Sequence, residues 1–369
     1  MQKLGDYIRE VDVRNKDLKV TNLVGLTIEK AFIPSVANII GTDLSNYKII
    51  RKEQFACSLM QVSRDGKMPI AMFEKDKAIM SPAYPMFEVM DKSKLLPQYL
   101  MMWFYRSEFD REASYYAVGG VRGSLTWEDF LNMQLPIPSI EQQREIVSEY
   151  ETISKRIKLN EQIIKNLEAT AQTLYHKMFV EGIDKEKVSL KDICKIQSGF
   201  AFKSEWWQKK GVPVIKINNI HNNTIFRDEC DCVSEDKAII AYKSLVNKGD
   251  IVMALTGNVG KISIIPDNGY LVNQRVGIFK VDDVYREFLY LVLNSAEMQN
   301  AIQNIGGGSV QINISPIDIG SIKIIMPSAC DIRQFHKQVL PVFHTISLKQ
   351  IENIKLKEIQ PSLLAKMGR

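Results

Sequence analysis

Histidine is scarce in this chain: 4 in 369 residues, at positions 176, 221, 336 and 344. His336 and His344 share a broadly similar helix face but sit too far apart along it to hold one ion, so no metal site is expected. Cysteine is nearly as rare, with 5, at 57, 194, 230, 232 and 330. The odd count and irregular spacing exclude a disulfide framework and point to reduced thiols in a cytoplasmic protein. Cys230-Asp231-Cys232 lacks the second ligand pair a zinc site would need. No apolar run approaches the roughly 20 residues that cross a bilayer, so no membrane association is expected. The opening Met1-Gln2-Lys3-Leu4-Gly5-Asp6 carries no apolar signal core. Neither charge sign dominates: 48 Lys and Arg against 43 Asp and Glu give +5, which permits a polyanionic partner without requiring one. No Gly-Lys-Ser/Thr phosphate loop is present. Gly306-Gly307-Gly308-Ser309 follows an expected helix and precedes an expected strand, the wrong context for a dinucleotide site.

What the chain does have is a second copy of itself. Setting Pro138 on Pro327 fixes one ungapped register that places Gly119 on Gly308, Leu125 on Ile314 and Asp129 on Asp318. The same register carries Ile153, Ile157, Leu167, Leu174 and Met178 onto Val342, Ile346, Leu356, Leu363 and Met367. With small gap changes it continues upstream, pairing Leu4-Gly5-Asp6 with Leu190-Lys191-Asp192 and Ser81–Phe87 with Asn273–Phe279. The unit is too long for a solenoid repeat and reads as a duplicated domain plus helix. Apolar content of 45% and charged content of 25% suit two ordinary globular domains of this size.

The expected architecture is α+β, with two similar mixed modules at 1–138 and 188–327. Each is followed by a long helical segment, at 139–187 (with the linker) and 328–369. Strands are expected at Ile70–Phe73, Tyr84–Val89, Val212–Ile217, Ile251–Ala254, Ile262–Ile265 and Val276–Val281, and single helices at Pro97–Arg111 and Tyr285–Ile305. Ser139 and Gln142 form a capping box for a helix from Ile140 to about Phe179. Its apolar seam steps 4-3-4-3 through Ile146, Tyr150, Ile153, Ile157, Asn160, Ile164, Leu167, Ala171, Leu174 and Met178, as a coiled coil does. Asn160 is the polar member, a residue type that can fix register at some cost in stability. The second helix has a more broken seam, with Val339, Val342 and Ile346, then Lys349 and Asn353, and Leu356 and Leu363 beyond, and Pro361 is expected to kink or interrupt it. The simplest partner for each helix is its own duplicate, paired antiparallel with pseudo-two-fold symmetry.

Candidate binding residues cluster in expected loops. In the second module Lys216, Asn218, Asn219, His221, Asn222 and Asn223 follow a strand, and Asn258 and Lys261 sit in a glycine-flexed loop. Gln274 and Arg275 open another strand, and Gln311 and Asn313 follow the triple glycine. The first module offers Arg51, Lys52, Arg64, Lys67 and Arg122. Asn, Gln, Arg and Lys are the side chains that pair with base edges in a major groove, and glycine lets backbone amides approach phosphates. Their recurrence in both copies favours nucleic acid. Ser81-Pro82-Ala83-Tyr84 partly matches the Asn-Pro-Pro-Tyr motif of amino-methylating DNA methyltransferases, but it lacks the Asn and reads as a strand-edge turn.

Together these features resemble the specificity subunits of type I restriction–modification systems, over essentially the whole chain. The most diagnostic stretch is Leu135-Pro136-Ile137-Pro138-Ser139-Ile140-Glu141-Gln142-Gln143-Arg144-Glu145-Ile146-Val147, similar to that family's junction between recognition domain and helix. Ser198-Gly199-Phe200-Ala201-Phe202-Lys203 and Gln311 through Ser315 also match. The second junction, Met326-Pro327-Ser328-Ala329-Cys330-Asp331, departs from the pattern. The resemblance implies two target-recognition domains, each reading half of a bipartite asymmetric site in double-stranded DNA. The helices would set the gap, and half-sites one turn apart lie about 34–36 Å from centre to centre. A helix of about 40 residues spans roughly 60 Å, enough to bridge that gap. It also implies a non-catalytic chain without a cofactor of its own, holding two modification subunits that methylate adenine with S-adenosylmethionine. Restriction/translocase subunits using ATP and Mg would join them. The rival readings are the recognition subunit of a related system that cleaves near its site, a methyltransferase with degenerate motifs, and a protein-binding scaffold.

Overall fold

The structure is a computed structural model that describes residues 1–35, 41–60, 62–118, 123–181, 186–221, 225–305 and 313–367. It divides into two compact units, Met1–Ile157 with Lys355–Arg369, and Lys158–Ile354. The division cuts across both long helices, so each helix gives one stretch to each unit.

Unit 1 begins with β1 (Gln2–Lys3), β2 (Ile8–Glu10), β3 (Val24–Leu26), β4 (Phe32–Pro34), β5 (Lys48–Arg51) and β6 (Phe55–Cys57). It continues with α1 (Val62–Asp65), β7 (Ile70–Met72), β8 (Lys77–Met80) and β9 (Met86–Val89). Then come α2 (Pro97–Tyr105), α3 (Ser107–Ala117), α4 (Trp127–Asn132), β10 (Gln134–Leu135) and the start of α5 (Ile140–Tyr175). One sheet runs β2-β9-β6-β7, all antiparallel. The β3-β4 pair and the β5-β8 pair are linked by a single parallel bridge, Leu23 to Ile79. The core lies between the first sheet and α2–α4, where Phe55 stacks on Phe87 at 5.0 Å and Phe104 meets both edge-on. Tyr99 through Phe104 are buried in succession, the signature of a helix enclosed on all sides.

Unit 2 contains β11 (Lys187–Ser189), β12 (Lys195–Ser198), β13 (Val212–Ile215), β14 (Asp231–Val233), α6 (Glu235–Ile240) and β15 (Leu245–Val246). After these come β16 (Ile251–Ala254), β17 (Ile262–Ile264), β18 (Tyr270–Val272), β19 (Val276–Lys280), α7 (Arg286–Leu293) and α8 (Ala296–Ile305). α9 (Pro316–Ser321), β20 (Lys323–Ile325) and α10 (Ala329–Lys366) complete the chain. The sheet order β12-β19-β16-β17 repeats that of unit 1, and β11 pairs with β20 as β1 pairs with β10. The second sheet, β14-β13-β18-β15, repeats the other strands, but here the parallel β13-β18 pairing is continuous. The expected duplication is therefore a duplication of topology.

Each expected single helix after the sheet is two helices. Arg106 takes an extended conformation (φ −70°, ψ 139°) between α2 and α3, because enclosed α2 gives way to one-sided α3, which buries only Phe109, Ala113 and Ala117. In unit 2 the Ser295 hydroxyl accepts from Met298 N at 3.2 Å and starts α8 afresh.

The long helices pair antiparallel within each unit. In unit 1 Gln360 donates to Ser154 at 3.0 Å and Lys366 meets Glu149 at 3.0 Å. In unit 2 Asn160 bonds Asn353 at 2.9 Å and Phe179 packs edge-on against Phe335 at 5.0 Å. Ile157, Asn160, Ala171, Ile346 and Leu363 are buried. Ile153, Ile164, Leu167 and Leu356 are half-buried. Ile146 and Tyr150 lean on the unit 1 core beside the more deeply buried Val147, and Leu174 and Val342 pack on the unit 2 core. Pro361 does not interrupt α10: it is exposed, its ring meets solvent, and the helix runs on to Lys366. α5 closes with a π turn over His176–Val180, where Glu181 N donates to His176 O.

Candidate nucleic-acid interface

Strand direction decides which loops of unit 2 meet. β16 ends where β19 begins, with Ala254 opposite Val276, so the Thr256–Lys261 loop and the Asn273–Arg275 turn share one end of that sheet. β13 and β18 run parallel and finish there too, joined by Asn273 N to Ile215 O at 2.9 Å, which brings in Lys216–Asn219. A Cβ at Gly257 would lie 3.5 Å from Ile217 Cδ1, so these two loops touch. Gln274 N donates to Phe200 O at 2.9 Å and ties the Phe200–Lys203 segment to the same end.

The result is an open polar hollow of about 520 Å³, lined by Ser198, Thr256, Gln274, Arg275, Asn313 and Asp318 among others. Gln274, Arg275, Asn258, Asn218 and Lys203 are exposed there or beside it, and Lys261 is half-buried. Among the described residues Arg275, Lys203 and Lys261 make no ion pair. The Thr256 hydroxyl is buried without a hydrogen-bond partner among the described residues. α8 holds the loop in place: Gln299 Nε2 donates to Gly260 O at 2.9 Å, and Gly260 has a positive φ of 87°.

Some expected contacts are otherwise engaged. Asn219 is buried; its Oδ1 accepts from Lys216 N at 2.8 Å and its Nδ2 donates to Glu229 O at 2.9 Å, so it builds the turn and is not free to read a base. Lys216 pairs with Asp231 at 2.6 Å and lies 3.5 Å over the Trp207 ring. His221 meets Glu229 at 2.6 Å. Sequence reading missed the aromatic support: Phe200 stacks on Trp206, and Lys203 and Lys237 lie 5.9 and 5.5 Å over that ring. The Phe-Ala-Phe-Lys run followed by Trp206-Trp207 was its available signal.

In unit 1 the turn between β8 and β9 occupies the place of Asn273–Arg275, closed by Tyr84 N to Ser81 O, and puts Pro82 and Ala83 where Gln274 and Arg275 stand. Ser81–Tyr84 is thus a strand-edge turn. Arg64 and Lys67 follow β6 at that same end, but Arg64 is bound to its neighbour Asp65 at 2.7 Å, and that pairing holds the Asp65 carboxyl below its usual range. Arg51 and Lys52 precede β6 and lie at its opposite end. There Glu53 pairs with Lys92 and accepts from Gln98 of α2, so those two cations do not join Arg64 and Lys67. Two further lysines are buried and structural. Lys48 donates to Tyr84 O at 3.2 Å, and Lys30 is held by Phe104 O and by Asp110 at 2.8 Å, with burial pulling its ammonium below the ordinary lysine range. Arg122, Gln311, Asn222, Asn223 and the triple glycine lie outside the described residues.

Burial pushes the Cys194 and Cys230 thiols up to about 12, so at neutral pH they are thiols, poor metal ligands and nucleophiles. Among the described residues no group of His, Cys, Asp or Glu is placed to hold a metal, and no helix is long and apolar enough to cross a membrane.

A duplicated α+β module, each copy closed by part of an antiparallel helix pair, defines the class. The chain belongs to the type I restriction modification DNA specificity domain family, whose profile matches residues 36–169 and 182–360. Among relatives, the type I restriction enzyme MjaVIII specificity subunit of Methanocaldococcus jannaschii is 26% identical over 260 residues, covering 64% of this chain and 61% of that protein. The HindI specificity subunit of Haemophilus influenzae is 29% identical over 157 residues, covering 42% of this chain and 34% of that protein. The chain thus spans less than two thirds of the length of either of these two relatives. The crystal structure of the type I restriction-modification S subunit from M. genitalium matches at a TM-score of 0.58 and 14% identity, over 99% of this chain and 95% of that one, which shows the shared fold.

Proposed function

We propose that this chain is the non-catalytic DNA-reading subunit of a type I restriction–modification complex, with each unit contacting one half of a bipartite site in double-stranded DNA. The observation that carries the reading is the convergence at one end of unit 2, where three loops present Arg275, Gln274, Asn258 and Asn218 around a polar hollow. Arg and Gln can each make paired hydrogen bonds to a base edge, and unpaired cations beside them favour phosphate. The paired helices would fix the spacing between half-sites. Their outer faces would hold two modification subunits that bring S-adenosylmethionine, joined by restriction/translocase subunits that use ATP and Mg. Bond-making would lie in those partners, in the cytoplasm, where the substrate DNA is.

The test is reconstitution with the modification subunits, followed by duplex binding across a salt series and mapping of methylated adenines. A bipartite methylated motif is expected, with the logarithm of the affinity falling linearly with log salt as counterions are released. Salt-independent binding, or methylation unaffected by omitting this chain, would refute the reading.

A further inference from the structure

Duplication creates a hazard. α5 and α10 are copies of one helix, so in principle α5 of one molecule can pair with α5 of another, and α10 with α10, in the register that joins α5 to α10 within one chain. Something must favour the intrachain pairing. The apolar seam positions discriminate poorly, because Ile157 and Ile346, Leu167 and Leu356, and Leu174 and Leu363 are equivalent in the two helices.

One layer differs by being both buried and polar. Asn160 and Asn353 are buried, at 0% and 7% exposure, and joined by a 2.9 Å bond between their amides. The duplication register places Asn160 on Lys349 and Asn353 on Ile164. Pairing α5 with α5 would therefore set Asn160 of each copy against the other copy's Ile164. Two buried amides would then have no partner, where the intrachain pair joins them through a hydrogen bond from Asn160 Nδ2 to Asn353 Oδ1. Pairing α10 with α10 would set Asn353 against the other copy's Lys349, which here turns aside to Glu352 at 2.9 Å. A slip of one heptad along α10 would likewise separate the two asparagines, leaving Asn160 opposite Ile346 or Gln360. The polar layer is held at some cost, since Asn160 Oδ1 has no hydrogen-bond donor among the described residues. A buried amide of this kind characteristically trades stability for choice of partner and register.

We propose that the Asn160–Asn353 layer selects the pairing of α5 with α10 inside one chain over the pairing of like helices between two copies. The device works through two buried amides that meet only in the intrachain pairing, so it needs both asparagines and cannot act from one.

The test uses the full chain carrying Cys330→Ser, since Cys330 is the exposed cysteine and the other four are buried. Cysteines at Ser154→Cys and Gln360→Cys, whose native side chains lie 3.0 Å apart, report intrachain pairing through a short bis-maleimide cross-linker. Into this background go Asn160→Leu with Asn353→Leu, and separately Asn160→Asp with Asn353→Lys. For the leucine pair, sedimentation should show self-association at least tenfold tighter than in the parent, with a lower yield of the 154–360 cross-link and an unchanged or higher melting temperature. The Asp/Lys pair should keep the parent's self-association and cross-link yield, because pairing α10 with α10 would set the introduced lysine against Lys349 of the other copy. Parental self-association in the leucine pair would overturn the proposal. So would self-association of the Asp/Lys pair as tight as that of the leucine pair.

Discussion

At the β18-β19 turn unit 2 carries Gln274 and Arg275; at the corresponding β8-β9 turn unit 1 carries Pro82 and Ala83. After β13, unit 2 has a short polar turn from Lys216. After β3, unit 1 has a turn pinned by buried Lys30 to Asp110, which also accepts from Met68 N at 3.1 Å. Backbone plan is shared, strand for strand; the chemistry at the loop end is not. The units also hold their helices differently. In unit 1, Gln143 is fully buried and bonds Leu96 N, Lys94 O and Pro138 O. Its duplicate in unit 2 is apolar Ile332, and the link there is His336 to buried Glu287 at 2.7 Å. Topology is fixed by a core that both copies must fill, whereas loop ends and junctions can diverge because few backbone bonds depend on them.

The comparison can be broken most forcefully in the cores. Phe87 and Phe279 occupy the same place in the two central sheets, each fully buried. Either, changed to alanine, should cost about 3–5 kcal/mol and lower only its own unit's transition in calorimetry. A uniform loss of both transitions would mean the units do not melt separately. Next in size, Gln143→Ala strips partners from two carbonyls and an N–H at the unit 1 junction and should destabilise that unit by about 1–3 kcal/mol. Ile332→Gln in unit 2 should not be neutral either, because no equivalent partners await it; chemical denaturation of both variants decides.

At the loop end, Arg275→Ala should remove about 1–3 kcal/mol of base discrimination from one half-site and leave the other intact. Competition binding with each half scrambled in turn would show equal losses if the asymmetry between units were not real. Gly260→Ala, at a positive φ and against Gln299, should cost about 1 kcal/mol or more of stability and loosen the unit 2 loop, whereas its counterpart Gly66 in unit 1, also at positive φ, has open space beside it. The smallest effect is expected at Arg64→Ala, whose exposed pairing with Asp65 should leave the melting temperature unmoved.

Much of this was legible in advance. Ser139 and Gln142 do cap α5 reciprocally at 3.3 Å. Only the N-cap half recurs at the start of α10, where Asp331 N donates to the Ser328 hydroxyl and that hydroxyl donates to the Asp331 carboxylate, and the flanking motif there is lost. Composition did not reveal the breaks at Arg106 and Ser295, because a run of good helix formers reads as one helix until burial on different faces forces two. It also overrated Asn219 and grouped Arg51 with Arg64. Residue type predicts what a side chain can bond, not whether a neighbouring turn has already claimed it.

The sequence by itself determined the duplicated plan, the two helices and the polar step at Asn160, since periodicity and self-similarity are properties of order along a chain. Tertiary structure alone decided which loops converge, that Asn160 meets Asn353, and that Gln274, Arg275, Asn258 and Asn218 come together at one end of unit 2. Those facts depend on strand direction and on contacts between residues far apart in sequence, where local propensity carries no information.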